Sequence, residues 1–405
     1  MRILFLTQWF DPEPTPKGLL FVKKLRDLGH KIEVISPIPN YPYGEFYKGY
    51  KFKLIQHEII DGIRVTRVPI FPSHDDSSFR RALTYLSFTL SSLITGIFLF
   101  RKIDVIYAYH PPNVGFIAII IGFIKRIPVV HDVQDLWPET FYSTGMIRKK
   151  IVIQILNFFS SWVYKRVNSL VVISPGFRNA LIERGIPKEK INVVYNWCEE
   201  SKILMPDQIE NNPIEESKNF NIVFAGNMGK AQNLIFVLKA AKVLVDESPN
   251  IHFYFVGDGL ELDELKNYAI NHDLNNVTFL PRVPMTSVGS ILMAADALLV
   301  HLKPDPLFKI TIPSKIQAYM AIGKPIINTI NGDASDLITD SNAGINVDPD
   351  DLQDLVITCK KMSHMNNDEL SEFTKNGRSY YQNNFSLMKG SENLEKIFQT
   401  VILKS

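Results

Sequence analysis

Two series of short, unbroken apolar runs constrain this chain more than any other feature, because nearly every run is followed by a stretch of helical period. RILFLTQ (2–8), KIEVISP (31–37), KIDVIYAYH (102–110), PVVH (128–131), SLVVIS (169–174) and INVVYN (191–196) form the first series. NFNIVFAGN (219–227), IHFYFVGDG (251–259), VTFLPRV (277–283), ALLVHL (297–302) and the runs at 325–329 and 344–347 form the second. An apolar run without alternation is a strand buried on both faces, as in a parallel sheet covered by helices. Helical stretches fall at 16–28, 80–100, 113–125, 148–167 and 175–185, and again at 232–246, 260–272, 286–295, 313–322 and 334–340. Three more follow near 350–362, 367–383 and 386–403. The alternation predicts α/β sheets of the doubly wound kind. One hairpin interrupts it at 58–69, with Asp61-Gly62 as its turn.

The 405 residues exceed what one core supports, since cores rarely grow past ~250–300 residues. A polar stretch without period, CEESKILMPDQIENNPIEESK (198–218), separates the two series and reads as a linker. The expected layout is a Rossmann-like domain at 1–197, the linker 198–218, a second Rossmann-like domain at 219–385 and a terminal helix at 386–405. Solenoid repeats and low-complexity tracts are absent from the sequence.

Two cysteines, Cys198 and Cys359, exclude a disulfide framework or a cysteine zinc site and fit a reducing cytoplasm. MRILFLTQWF does not read as a signal peptide, because its apolar run is short and Asp-Pro-Glu-Pro follows. The net charge of +2 hides an asymmetry. Residues 1–195 hold 26 Lys and Arg against 15 Asp and Glu, whereas 196–405 hold 18 against 27. A basic first half is expected to face something anionic such as a membrane surface, and nothing points to nucleic acid. Within it, RRALTYLSFTLSSLITGIFLFRK (Arg80–Lys102) carries 18 residues without a charge, Leu83 to Phe100, and basic pairs flank both ends of the segment. A spanning helix, an interfacial helix and a core helix all fit that length. The serines and threonines, and the strand that follows at once, favour a helix partly packed on its domain and partly offered to the bilayer.

Ligands of open α/β sheets bind beyond the carboxyl ends of the strands, and two such domains are expected to face each other across a cleft. After the first strand, WFDPEPTPKG (9–18) stiffens a loop that brings Lys17 and Gly18 to a helix start, where an anion is stabilised. After the strand at 128–131 come His131, Asp132, Asp135, Trp137 and Glu139. His131 is placed as a polar contact or general base, and Asp132 and Asp135 as partners of sugar hydroxyls. Trp137 with Glu139 offers a plane and an acid to a sugar ring, or packs. A metal site needs more converging ligands, so none is expected. In the second half, Gly226, Gly229 and Lys230 precede a helix, and Gly257 lies in a second turn. Arg282 ends a third strand, and Thr311, Ser314 and Lys315 open another helix. Four such strand ends in register argue for a nucleotide diphosphate.

These motifs together resemble the family 4 retaining glycosyltransferases with two Rossmann-like domains (the GT-B fold). The resemblance runs from MRILFLTQWFDPEPTPKG through HDVQDLWPE, FAGNMGKAQNL, FVGDG, FLPRV and PSKIQAYMAIGKPI to the final helices. Within that family the chain is similar to bacterial surface-polysaccharide enzymes that transfer N-acetyl-L-fucosamine in O-antigen synthesis. The resemblance implies a UDP-sugar donor held by the second domain and a polyprenyl-diphosphate-linked saccharide acceptor held by the first, near Trp9. It implies retention without a metal or other cofactor, work at the inner face of the plasma membrane, and a last helix that returns to the first domain. His131 would line the donor sugar, Gly18 would lie near the diphosphate, and Arg282 and Val283 would hold the base. Backbone amides of Thr311 to Lys315 would grip the diphosphate.

Departures are visible. Asn227 and Gln232 stand where many members carry an arginine and a lysine, which leaves Lys230 to supply the cation. Ile310 and Ala318 stand where many carry two glutamates that touch sugar and ribose. A donor lacking the usual hydroxyls, such as a 6-deoxy amino sugar, fits that loss. Three rival readings remain: a UDP-N-acetylglucosamine 2-epimerase, a dehydrogenase (disfavoured, since GxGxxG is missing) and a non-catalytic scaffold.

Overall fold

A computed structural model describes residues 1–73, 78–100, 102–143, 149–209, 212–215 and 217–405. The chain forms two compact units, Met1–Tyr195 with Gly390–Ser405, and Asn196–Lys389.

In the first unit the strands are β1 (Arg2–Thr7), β2 (Lys31–Pro37), β3 (Gln56–Ile60), β4 (Ile63–Val68), β5 (Val105–Tyr109), β6 (Val129–Val133), β7 (Ser169–Val172) and β8 (Ile191–Val193). They form one sheet in the order β3-β4-β2-β1-β5-β6-β7-β8. Every pairing is parallel except β3 with β4, which is the expected hairpin, turning at Asp61 (φ 49°) and Gly62 (φ 80°). Each residue of β5, β6 and β7 is buried, which is why these strands read as continuous apolar runs. The helices are α1 (Leu19–Asp27), α2 (Ser78–Leu99), α3 (Pro112–Lys125), α4 (Glu139–Ser143), α5 (Lys150–Arg166) and α6 (Pro175–Glu183). α2 packs on α3, and α3 on α5. Gly96 makes the first contact close, because a Cβ there would lie 2.2 Å from Ile121 Cδ1. Arg101, one of the basic residues flanking the apolar segment, and Arg148, at the start of the helix expected at 148–167, lie outside the described residues.

The second unit contains β9 (Phe220–Ala225), β10 (Ile251–Val256), β11 (Val277–Leu280), β12 (Ala297–His301), β13 (Ile326–Thr329) and β14 (Gly344–Asn346). This sheet is wholly parallel, in the order β11-β10-β9-β12-β13-β14. Its helices are α7 (Glu200–Ile203), α8 (Leu234–Glu247), α9 (Leu262–Asn271), α10 (Met285–Ala294), α11 (Pro306–Lys309), α12 (Ser314–Ile322), α13 (Asp333–Ser341), α14 (Leu352–Ser363) and α15 (Asn367–Asn384). Phe224, Phe253 and Phe255 pack with Leu238, Leu244 and Cys359 from α8 and α14 in its core. α16 (Leu387–Leu403) follows, and from Gly390 it belongs to the first unit. There Phe398 meets Tyr107 edge-on at 5.2 Å, and Glu395 lies 3.1 Å from His30 Nε2.

The stretch read as a linker is anchored where it begins. Cys198 and Glu200 converge on Tyr381, whose hydroxyl donates to Glu200 at 2.9 Å and accepts from the Cys198 amide at 3.3 Å. Glu200 also accepts from the Leu387 amide at 2.9 Å. Burial pushes the Cys198 thiol up to about 11 and Cys359 up to about 12, so both stay protonated near neutral pH.

Candidate active site

The strand order of the second unit reverses between β9 and β12, and a crevice for ligands opens at such a point. Gly226 (φ 135°) follows β9 and Gly257 (φ 142°) follows β10. Only glycine fits either place, because a Cβ at Gly257 would lie 2.1 Å from the Gly226 carbonyl oxygen and one at Gly226 would lie 2.8 Å from Lys315 Cε. Lys315 stands in the first turn of α12 with its ammonium 3.4 Å from the centre of the Phe224 ring. Burial lowers its pKa to about 7, so an arriving anion can charge it. Gln232 closes the loop after β9, accepting from the Gly229 amide at 3.2 Å and from Asn227 at 3.4 Å. Lys230 is exposed on that loop, Ser314 is exposed at the start of α12, and Arg282 and Val283 follow β11 at the surface. The structure thus gathers Gly226, Asn227, Gly229, Gln232, Gly257 and Lys315.

Thr311 departs from its expected role. Its hydroxyl donates to the Leu307 carbonyl at 2.8 Å and its amide to that of Phe308 at 3.3 Å, so both donors close α11 rather than face a phosphate. His301, which sequence reasoning passed over, ends β12 stacked on Phe236 at 5.0 Å, its Nδ1 against Thr329. Burial lowers its pKa to about 4, so it is a neutral core group.

In the first unit the expected anion site at the start of α1 is already occupied by the chain's own acids. The Leu19 amide donates to Asp11 at 2.6 Å, and a Cβ on Gly18 would come within 2.3 Å of that carboxylate. Gly18 is therefore required by close approach, and the Leu19 amide at the helix start is already taken by Asp11. Lys17 is fully buried and paired with Asp132, which also accepts from the Tyr107 hydroxyl and from Gln134. Neither Lys17 nor Asp132 reaches a ligand. Together they fasten the loop after β1 to the end of β6.

His131 is a further correction. It is 1% exposed, within a strand buried on both faces, and its Nδ1 lies 3.0 Å from the Ala108 carbonyl. A carbonyl only accepts, so Nδ1 carries the proton. The ring stacks on Tyr164 at 5.9 Å, and burial lowers its pKa to about 4. A neutral, enclosed imidazole of this kind cannot line a sugar or exchange a proton with one. Trp137 is also buried, edge-on to Tyr85 and Phe141, and its carbonyl accepts from Arg184 at 2.8 Å. Glu139 pairs with the same Arg184. These two residues brace α4 and leave no plane for a sugar ring.

Trp9 and Asp135 do come together, through a residue that sequence reasoning missed. His110 follows β5, stacks on Trp9 at 5.5 Å and places Nε2 3.1 Å from the Asp135 carboxylate. Tyr41 meets the other side of this cluster, edge-on to Trp9 at 5.7 Å. The position is the point where the strand order of the first sheet reverses, between β1 and β5. The signal was available in YAYHPPN, at a strand end left unread. Among the described residues no three His, Cys, Asp or Glu side chains gather as a metal site would require.

Two domain families match this chain. Residues 19–197 match the glycosyl transferase 4-like domain and residues 206–380 match the glycosyl transferases group 1. The probable glycosyltransferase WbjE of Pseudomonas aeruginosa is 28% identical over 66% of each chain. The putative colanic acid biosynthesis glycosyl transferase WcaI of Escherichia coli K12 is 27% identical, over 80% of this chain and 82% of its own. Among solved structures, Anabaena HepE in complex with UDP and glucose superposes with a TM-score of 0.68 at 17% identity, covering 99% of this chain and all of its own. With its two parallel α/β sheets of Rossmann type, the chain belongs to the family 4 glycosyltransferases of the GT-B fold, joining a 4-like domain to a group 1 domain.

Proposed function

We propose that this glycosyltransferase moves a sugar from a UDP-sugar to a polyprenyl-diphosphate-linked saccharide during bacterial surface-polysaccharide synthesis, with retention and without a metal. The observation that carries the donor half is the crevice at β9 and β12. Gly226 and Gly257 let backbone come close to a ligand there, and the Lys315 ammonium lies beneath Gly226. Glycosyl transfer builds negative charge on the leaving diphosphate, and a poised cation with free amides at the start of α12 stabilises that charge. Lys230, exposed on the loop after β9, adds a second cation. HepE was solved with UDP in a fold of this type.

The proposed sugar is N-acetyl-L-fucosamine of the O-antigen kind. Ile310 and Ala318 offer no carboxylate to a 6-hydroxyl, and Asp305 has one carboxylate oxygen engaged in capping α11 through the Leu307 amide at 2.9 Å. A 6-deoxy sugar needs no such partner.

The proposed place of work is the inner face of the plasma membrane, with α2 lying in the interface. That helix is long and apolar enough to cross a membrane, and one third of it is buried. Its polarity is inverted. Thr84, Ser92 and Thr95 face the protein, whereas Leu86, Leu90, Ile94 and Phe98 are 54–76% exposed along one stripe. On the neighbouring helices Phe123, Ile151, Ile155 and Phe158 are also exposed, beside Lys125, Arg126, Lys149 and Lys150. Apolar rows bordered by cations suit an anionic bilayer surface.

Calorimetric titration with UDP tests the donor half. Micromolar binding that falls at least tenfold in Lys315→Met is the expected result. Equal affinity in that variant, or no binding by the wild type, removes the proposed cradle.

A further inference from the structure

The first sheet ends in an open edge. β3 is its outermost strand, and among the described residues it pairs with β4 alone. The hairpin closes on the two-residue turn Asp61-Gly62, so Ile60 and Ile63 form the hydrogen-bonded pair nearest the turn. By alternation Glu58 and Gln56 also direct their amides and carbonyls to β4, whereas His57 and Ile59 direct theirs away from the sheet. Native edges are blunted by lysine, proline or a bulge. QHEII (56–60) holds neither residue, and its ladder runs unbroken from Gln56 opposite Arg67 to Ile60 opposite Ile63. Ile59 is 77% exposed, and just ahead of the strand Leu54 and Ile55 are 75% and 42% exposed. An apolar edge without such protection is a template for another strand.

We propose that its occupant is the same edge of a second copy, paired antiparallel about a two-fold axis at His57. That register sets Ile55 opposite Ile59, Leu54 opposite Ile60 and Lys53 opposite Asp61, so apolar residues meet apolar ones and the two charges are opposite in sign. It also sets the outward backbone groups of His57 and Ile59 against the same kind of position in the second copy, as a hydrogen-bonded ladder requires. An axis one residue earlier, at Gln56, would put Lys53 against Ile59 and Leu54 against Glu58. An axis one residue later, at Glu58, would put two glutamates face to face and Ile55 against Asp61. Pairing extends β3 by the residues just before it. Asp61 already binds Lys23 at 2.7 Å, but its side chain is 56% exposed and keeps an oxygen for a second cation.

The two-fold axis stands perpendicular to the joined sheet, so the same face of both copies points the same way. α2 lies on the face that carries His57 and Ile59. A Cβ on Gly96 of α2 would lie 3.8 Å from Ile35 Cδ1, Ile35 is in register with Thr66, and Thr66 with His57, whose Nδ1 is 3.1 Å from the Thr66 hydroxyl. The pair therefore turns both α2 stripes to one side. On the proposed membrane reading, one bilayer then receives two contacts in place of one, and the second forms at the high effective concentration set by the first.

Sedimentation velocity of the full-length protein across the micromolar range tests the pairing. The wild type is expected to pass from one chain to two as concentration rises. Ile59→Lys puts a charge on the edge and should raise the dissociation constant at least tenfold. His57→Cys tests the register, because a residue on the axis lies about 5.5 Å from its own copy, within disulfide reach. Mild oxidation should join two such chains, whereas Cys198 and Cys359 are buried and leave the wild type unlinked. Leu90→Glu with Ile94→Glu should leave the dimer intact. If Ile59→Lys fails to fold, cross-linking of His57→Cys decides alone. A wild type that stays a single chain throughout, a dimer unmoved by Ile59→Lys, or a dimer that His57→Cys does not link overturns the proposal. So does a dimer lost in the α2 variant, which would assign the contact to the apolar stripe. Vesicle flotation is a separate readout, so each of these failures leaves the membrane and transferase readings standing.

Discussion

Replacing Lys17 by Met should weaken the first unit far more than loss of a surface lysine would. Lys17 and Asp132 are both wholly buried, and Asp132 is further held by Tyr107 and Gln134. Removing the cation leaves a carboxylate in the interior with two donors but no countercharge, and breaking a buried pair on one side costs about 3–5 kcal/mol. For a unit of this size each kcal/mol moves the midpoint by about 2–4 °C, so the expected loss is roughly 6–20 °C. Three of the four tryptophans, Trp9, Trp137 and Trp162, lie in the first unit, so thermal unfolding followed by tryptophan fluorescence reports it. Lys17→Met with Asp132→Asn removes both charges and should recover at least half of the loss, since the stranded charge is the main cost. A single variant that melts within about 2 °C of the wild type, or a double variant no better than the single, would refute the assignment of this pair as a buried strut.

Three further outcomes follow from the geometry. The Lys315 pKa of about 7 is raised when a diphosphate arrives, so UDP binding at pH 8 should take up close to one proton, and affinity should be flat below about pH 7 and fall above it; calorimetry in buffers of different ionisation enthalpy measures this, and zero proton uptake would contradict it. Gly226→Ala places a Cβ at φ 135°, 2.8 Å from Lys315 Cε, at a cost of about 1–3 kcal/mol in strain, and should weaken UDP binding at least tenfold in the same titration. Leu90→Glu with Ile94→Glu should abolish flotation with anionic vesicles while leaving UDP affinity unchanged, and persistent flotation would remove α2 from the membrane contact.

The two sheets were legible because parallel strands buried on both faces leave runs such as LVV at 170–172 and IVF at 222–224, which no other element explains as simply. The strand orders were not legible, since pairing β1 with β5 joins residues about a hundred positions apart and leaves no local signature. The site divides along the same line. Gly226, Gly257 and Lys315 sit where a strand end or a helix start predicted them, because those signals are local. Lys17 and Asp132 looked like ligand contacts because their attraction for each other acts across 115 positions of chain. Asp11 likewise occupies the start of α1 from eight residues away, which also explains why that helix begins at Leu19 and not at 16 as expected. His131 misled because a doubly buried strand shows no alternation, so nothing marks one of its polar residues as facing inward. His110 stood one residue past β5, and reading every strand end would have exposed it.

The most direct test of the account is transfer itself. The purified protein would be incubated with UDP-sugars, UDP-N-acetyl-L-fucosamine among them, and a short-chain undecaprenyl-diphosphate-N-acetylglucosamine analogue, with products read by mass spectrometry. The account predicts that the acceptor gains the mass of one sugar residue, with an equal amount of UDP released and the anomeric configuration retained. Conversion of the UDP-sugar without any gain by the acceptor, or no reaction with any donor, would contradict it.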